Sequence, residues 1–117
     1  MSKTIMCVDD EANLLKLYEQ ILTDEGYQVV TACTCNEALE CMRFYPIDLI
    51  VLDIKMGTEN GLDILAEIKR RDPTLPIILH SAFNTYKSDF KSWLANDYLI
   101  KSSDMRELKS KIGKFLE

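Results

Sequence analysis

The chain is poor in the residues from which several common sites are built. Its 117 residues include one histidine, His80, with four cysteines, four glycines and three prolines. Cys33 and Cys35 are one residue apart, Cys41 follows, Cys7 stands alone, and no C-x-x-C knuckle occurs. With a single histidine this spacing does not make a zinc site, and small buried thiols are the better reading. The longest apolar runs, Leu49–Leu52 and Pro76–Leu79, are far too short to span a bilayer. Met1–Ile5 leads straight into a strand-like segment, without the apolar core or cleavage site of a signal peptide. A cytoplasmic location with reduced thiols and no membrane association is the expectation. Positive charge is also scarce: 14 basic against 19 acidic residues give a net charge of −5. Direct nucleic-acid binding is not expected, because its affinity comes largely from neutralising phosphates. Only the stretch from Lys101 onward runs positive, and a solvated helix face accounts for it.

What is present is a regular alternation of strand-like and helix-like segments, without repeats, linkers or low-complexity stretches. Thr4–Val8 is a short apolar run that ends at Asp9-Asp10. Glu11–Glu25 carries Leu14, Leu17, Tyr18 and Ile21 at helical spacing and stops at Gly26. Gln28–Ala32 reads as a strand. Thr34 with Glu37 three residues on is a capping box opening a helix to Phe44. Leu49–Leu52 is a buried-type strand that delivers Asp53, and Ile54–Asn60 reads as a loop. Gly61–Arg71 is a helix buried through Leu62, Leu65 and Ile68; Ile77–His80 is a strand, Thr85–Leu94 a polar helix and Tyr98–Ile100 a strand. Asp104 with Glu107 opens a last helix whose Met105, Leu108, Ile112 and Phe115 form one stripe. Length and pattern predict one domain over residues 1–117. The fold class is α/β, a flavodoxin-like (βα)5 three-layer sandwich with a five-stranded parallel sheet in the order 2-1-3-4-5.

In such a sheet the carboxyl ends of all strands lie along one edge, and ligands bind there at the switch point between the first and third strands. Asp9 and Asp10 end the first strand, Asp53 the third, Ser81 the fourth and Lys101 the fifth. Three carboxylates in one crevice raise one another's pKa unless a cation joins them. Lys101 is one cation, and an all-oxygen ligand set suits a hard ion such as Mg²⁺ for the other. A carboxylate so placed can act as nucleophile toward a phosphoryl group, with metal and lysine offsetting the developing charge and Ser81 donating a hydrogen bond. Taken singly, Asp9 and Glu11 also suit a helix N-terminus, where acids are favoured.

Four segments carry a resemblance to a known family: Val8-Asp9-Asp10-Glu11; Leu52-Asp53-Ile54-Lys55-Met56 with Gly61 eight residues after Asp53; Ser81-Ala82; and Tyr98-Leu99-Ile100-Lys101. In this order and spacing the whole chain resembles a response-regulator receiver domain of two-component signalling. The resemblance implies a phosphoacceptor domain rather than an enzyme with a separate substrate. It implies Asp53 as the phosphorylation site, Asp10 as a direct metal ligand, Asp9 as part of the acidic pocket and Lys55 as a ligand through its backbone carbonyl. Ser81 and Tyr98 match the switch pair, and Lys101 the lysine that meets the phosphoryl group. The implied partners are a histidine kinase or phosphotransfer protein as donor, a downstream protein or effector domain, and a second copy in a phosphorylation-dependent homodimer. His80, Phe83 and Trp93 are read as structural.

Two positions depart from the family pattern. Gly57 stands where a proline usually follows the methionine, which predicts a more mobile loop over residues 57–61. Ser102 replaces the proline after Lys101, so either a non-proline cis bond is tolerated or the bond is trans and a rearranged loop places the lysine. The main alternative keeps the fold without the chemistry, as a phosphorylation-independent interaction module. A flavodoxin-like cofactor binder lacks its phosphate-cradling loop after the first strand. An aspartyl phosphatase lacks a second acid two residues after the nucleophile, where Lys55 stands.

Overall fold

The computed structural model describes residues 2–82, 94–102 and 104–116. In chain order the elements are β1 (Thr4–Val8), α1 (Ala12–Asp24), β2 (Gln28–Ala32), α2 (Cys35–Phe44), β3 (Leu49–Leu52), β4 (Lys55–Met56), β5 (Glu59–Asn60), α3 (Gly61–Arg71), β6 (Ile77–Ser81), β7 (Asp97–Ile100) and α4 (Arg106–Leu116). Five strands form one parallel sheet in the order β2-β1-β3-β6-β7, the expected 2-1-3-4-5 topology. Every residue of β1, β3 and β6 is buried, because helices cover both faces of these central strands. The edge strands β2 and β7 are only partly buried.

Two apolar layers result. One packs Met6, Val8, Ile50, Leu52, Ile77 and Leu79 against α2 and α3, with Tyr98 partly buried at its margin. The other packs Ile5, Cys7, Leu49, Val51, Ile78 and Leu99 against α1 and α4. The α1 stripe keeps Leu14, Tyr18 and Ile21 of the one read off the sequence, packed on the core, and adds Leu15 and Leu22. Leu15, Tyr18 and Leu22 face the core, whereas Leu17 is 40% exposed. The apolar run is broader than one face, so spacing alone does not choose among its rows; the sheet beneath does.

Local signals decode as capping predicts. Thr34 Oγ1 accepts from Glu37 N at 3.1 Å, and Glu37 Oε1 accepts in return from Cys33 N at 2.9 Å. At the end of α1, Tyr27 N donates to Leu22 O and Gly26 N to Thr23 O, with Gly26 at φ 95°. This is the Schellman pattern, and its left-handed residue is one where glycine has no Cβ to strain. The segment after Asp53 is not the open loop expected. Lys55 pairs with Asn60 and Met56 with Glu59 in a short antiparallel hairpin. Gly57 turns it at φ 60°, while no non-glycine among the described residues has positive φ. That is the signature of a type II′ turn, which a proline locked near −65° cannot enter. The helix expected over Thr85–Leu94 lies, except for Leu94, outside the described residues, as do Phe83 and Trp93. Among the described residues no helix is long and apolar enough to cross a membrane.

A polar pair is set into the α1 side of the core. Tyr18 Oη and His80 Nδ1 are 2.5 Å apart, joining α1 to β6, and both residues are buried. Burial, with the Lys101 charge adding to it, pulls the His80 pKa down to about 4. Its folded value lies below the unfolded one, so the stability it contributes is present above about pH 6.5 and is lost as pH falls toward 4. We expect the imidazole of this single histidine to show no titration by NMR between about pH 5.5 and 8. Tyr18→Phe leaves Nδ1 unsatisfied and lowers the unfolding free energy by about 1–3 kcal/mol in urea denaturation.

Candidate functional site

The sheet carries its polar residues to the carboxyl edge. Asp53 N donates to Val8 O at 2.9 Å and Asp9 N to Ala32 O at 3.1 Å, so both residues continue their ladders by one bond. This fixes the backbones from which the two carboxylates project. Asp9 is 1% exposed and Asp53 6%, unusual burial for acids. Asp10 lies beside them, exposed. One carboxylate oxygen from each of Asp9, Asp10 and Asp53 falls within 4.8 Å of the others. Asp10, Glu11, Asp53, Lys55, Gly57, Ala82 and Lys101 line an open cleft of about 410 Å³.

Lys101 closes the cluster from β7. Its Nζ donates to Asp9 Oδ2 at 2.7 Å and stands 3.4 Å from Asp53 Oδ2. The Lys101 backbone is held as firmly, with its N–H on Ser81 O at 2.7 Å. No described peptide bond is cis, so of the two alternatives for Lys101–Ser102 the trans form holds, and the ammonium still reaches both acids. Burial alone pulls the Lys101 pKa down, but the Asp9 hydrogen bond and the charges of Asp53 and Asp9 more than reverse this. The ammonium is therefore kept charged. Burial, reinforced by the Asp9 charge and opposed by Lys101, pushes Asp53 up to about 6. The chain thus spends stability to hold an under-compensated carboxylate at the floor of the cleft.

Backbone packing from below fixes the same carboxylate. Gly61 begins α3 with its N–H on Ile54 O at 2.5 Å. A Cβ there would overlap the Asp53 carbonyl oxygen and sit 3.1 Å from its carbonyl carbon. Only glycine lets α3 start this close to the acid-bearing strand end.

Of the residues singled out in the sequence, the structure brings Asp9, Asp10, Asp53, Lys55 and Lys101 to one cleft. Ser81 is fully buried at the end of β6, and Tyr98 is partly buried on β7. The register, Leu79 opposite Tyr98 and Ser81 opposite Ile100, puts Ser81 and Tyr98 on the same face of the sheet. Sequence reasoning left Glu11 as a helix-end acid, yet it lines the cleft. Its backbone N–H donates to Asp9 Oδ1 at 3.0 Å, a contact with no signal in the sequence pattern. The Tyr18–His80 pair had no signal in spacing, since 62 residues separate its members.

The donor set is one of carboxylate oxygens with an open side, and it fits a hard divalent cation that keeps part of its water shell. The described cysteines are free thiols, with Cys7 buried and Cys33 exposed.

The family model for the response regulator receiver domain matches residues 5–113. The chain belongs to that family. It is 35% identical over 97% of its length to the alginate biosynthesis transcriptional regulatory protein AlgB of Pseudomonas syringae, covering 26% of that protein. It is 34% identical over 96% of its length to the response regulator ArlR of Staphylococcus aureus, covering 52%. The chain thus spans about a quarter to a half of these curated relatives. Among solved structures it is similar to the Thermotoga maritima response regulator TrrA in complex with Mg²⁺-BeF, with a TM-score of 0.92 and 40% identity, covering 97% of this chain and 98% of that one. A complex of the histidine kinase ThkA with TrrA matches at a TM-score of 0.91 and 40% identity, covering 98% of this receiver and 99% of the matched chain.

Two substitutions test this receiver's architecture. Gly61→Ala lowers the unfolding free energy by about 1–3 kcal/mol in urea denaturation, through overpacking against Asp53. In metal-free protein at pH 7, Asp53→Asn raises it by about 1–2 kcal/mol, because the replaced carboxylate is held ionised against its surroundings.

Proposed function

We propose that this receiver takes a phosphoryl group onto a carboxylate oxygen of Asp53 and relays the event as a change of shape. The observation that carries the reading is one carboxylate, 6% exposed, ending β3 within an acidic cluster and 3.4 Å from a lysine ammonium. The donor in this reading is a phosphohistidine on a histidine kinase or a phosphotransfer protein, supported by the family and by the kinase complex of TrrA.

The residues divide the work. An Asp53 oxygen forms the new bond to phosphorus as the phosphorus–nitrogen bond of the donor breaks, and the departing imidazole takes up a proton. Asp53 is ready to attack because its strand and Gly61 hold it at the cleft floor. Lys101, already beside Asp53, meets the oxygens of the transferred group with a charge that needs no reorganisation. Asp9 holds Lys101 in place while Asp10 faces the open side. Asp9, Asp10, Asp53 and the Lys55 carbonyl would hold Mg²⁺, which when bound supplies Lewis-acid neutralisation of the phosphoryl oxygens. The product adds roughly −1.5 to −2 charge and strong acceptors at the strand edge. Ser81 is the hydroxyl placed to answer it, and Tyr98, on the same sheet face, is the ring that follows. The chain is thus a signalling domain that assists only its own phosphorylation and dephosphorylation. A downstream protein or effector domain, or a second copy, reads the changed surface.

Intact-mass measurement after incubation with Mg²⁺ and acetyl phosphate tests the reading. A single phosphoryl adduct is expected, absent from Asp53→Asn and from protein stripped of divalent cations. Lack of any adduct, with a histidine kinase also failing to label the chain, would favour a phosphorylation-independent interaction module. Lys101→Met should leave Mg²⁺ affinity in place yet cut the rate of adduct formation by about 10²-fold or more, by removing one preorganised charge.

A further inference from the structure

A second recess lies on the α4 side of β7. It encloses about 190 Å³ and is lined by His80, Leu99, Ile100, Ser102, Asp104, Glu107 and Leu108. That is below the range of drug-sized pockets and suits one small group. His80, 3% exposed, has its Nδ1 engaged by Tyr18 Oη. Among the described residues the Tyr18 hydroxyl has no other partner, so hydrogen-bond balance makes the phenol the donor, Nδ1 the acceptor and Nε2 the bearer of the ring proton. Among the described residues Nε2–H has no partner, yet no buried side-chain nitrogen or oxygen is left unsatisfied. His80 is among the residues that line the recess.

The lining defines what can enter. Nε2–H calls for an acceptor, and Glu107 at the mouth calls for a donor. Asp104 is held by its fork onto Arg106, with contacts of 2.7 and 3.0 Å, and Ser102 Oγ donates to Asp104 O, which leaves Glu107 as the available acceptor. A carboxylate or phosphate would face two acids. An ammonium has nothing to accept the imidazole proton. A planar group with a carbonyl beside an NH₂ satisfies both ends, and Leu99, Ile100 and Leu108 receive its apolar part. We propose that this recess is a binding site for a primary carboxamide, whose oxygen accepts from His80 Nε2–H while its NH₂ donates to Glu107. The same chemistry is offered by a free small amide and by an Asn or Gln side chain of a docking protein. The inference does not rest on phosphorylation of Asp53.

The single histidine provides the readout, because its Nε2 signal has no rival in a ¹⁵N NMR spectrum. Titration with nicotinamide should move the His80 Nε2–H resonance saturably, and nicotinate, which carries a carboxylate instead, should not. Glu107→Gln, a change on an exposed helix position, should weaken nicotinamide binding by about tenfold through loss of a charged acceptor. N-acetylglutamine N-methylamide separates the sources: binding at least as tight as nicotinamide marks a protein side chain, and binding of nicotinamide alone marks a free amide. No saturable shift with either amide, an equal response to nicotinate, or unchanged affinity in Glu107→Gln would overturn the proposal.

Discussion

Everything at the carboxyl edge of this sheet depends on holding two like charges close together under low exposure. Asp9 and Asp53 end adjacent parallel strands, and their backbones extend the ladders on either side. Neither backbone can shift without breaking sheet hydrogen bonds. The loss of hydration on burial, reinforced by their repulsion, is what lifts the Asp53 pKa and makes a cation favourable at the site. Lys101 answers part of the charge and leaves the rest for a divalent ion.

The scaffold is arranged around that tension. Gly61 lets α3 start against the Asp53 carbonyl, and the Gly57 turn folds the following residues into a hairpin that walls the cleft. A trans peptide after Lys101 still delivers its ammonium to both acids, since the Lys101 N–H is tied to Ser81 O at the neighbouring strand end. The departures at Gly57 and Ser102 are thus absorbed locally by turn geometry and a single backbone bond. On the opposite face, the Tyr18–His80 pair ties α1 to the strand that carries Ser81. A buried polar pair of this kind constrains geometry more than it adds net stability.

The legible part of the site was its chemistry. Asp9, Asp10, Asp53 and Lys101 follow apolar runs, and a parallel sheet sends all such run-ends to one edge. A parallel sheet covered on both faces was legible for a related reason, since wholly buried central strands need helices on both sides, whereas the strand order followed from the fold class and not from the segments alone. Less legible were features in which two surfaces compete. The α1 stripe offered Leu17 as readily as Leu15 and Leu22, and only packing on the sheet chose between them. The hairpin after Asp53 was hidden because four residues of strand carry too little periodicity to register.

By itself, the sequence determined the order of the five sheet strands and four described helices along the chain, the caps at Thr34 and Gly26, and the identity of the acids and lysine that end the strands, because these follow from local propensity and period. Tertiary structure alone decided which of those groups touch. Lys101 lies 92 residues from Asp9, and their 2.7 Å contact exists because β7 and β1 end on one edge. The same holds for Gly61 under Asp53, Glu11 over the cleft and His80 beside Tyr18. Proximity of residues distant in the chain is a property of the sheet's register, and register is settled by the packed core rather than by any one segment.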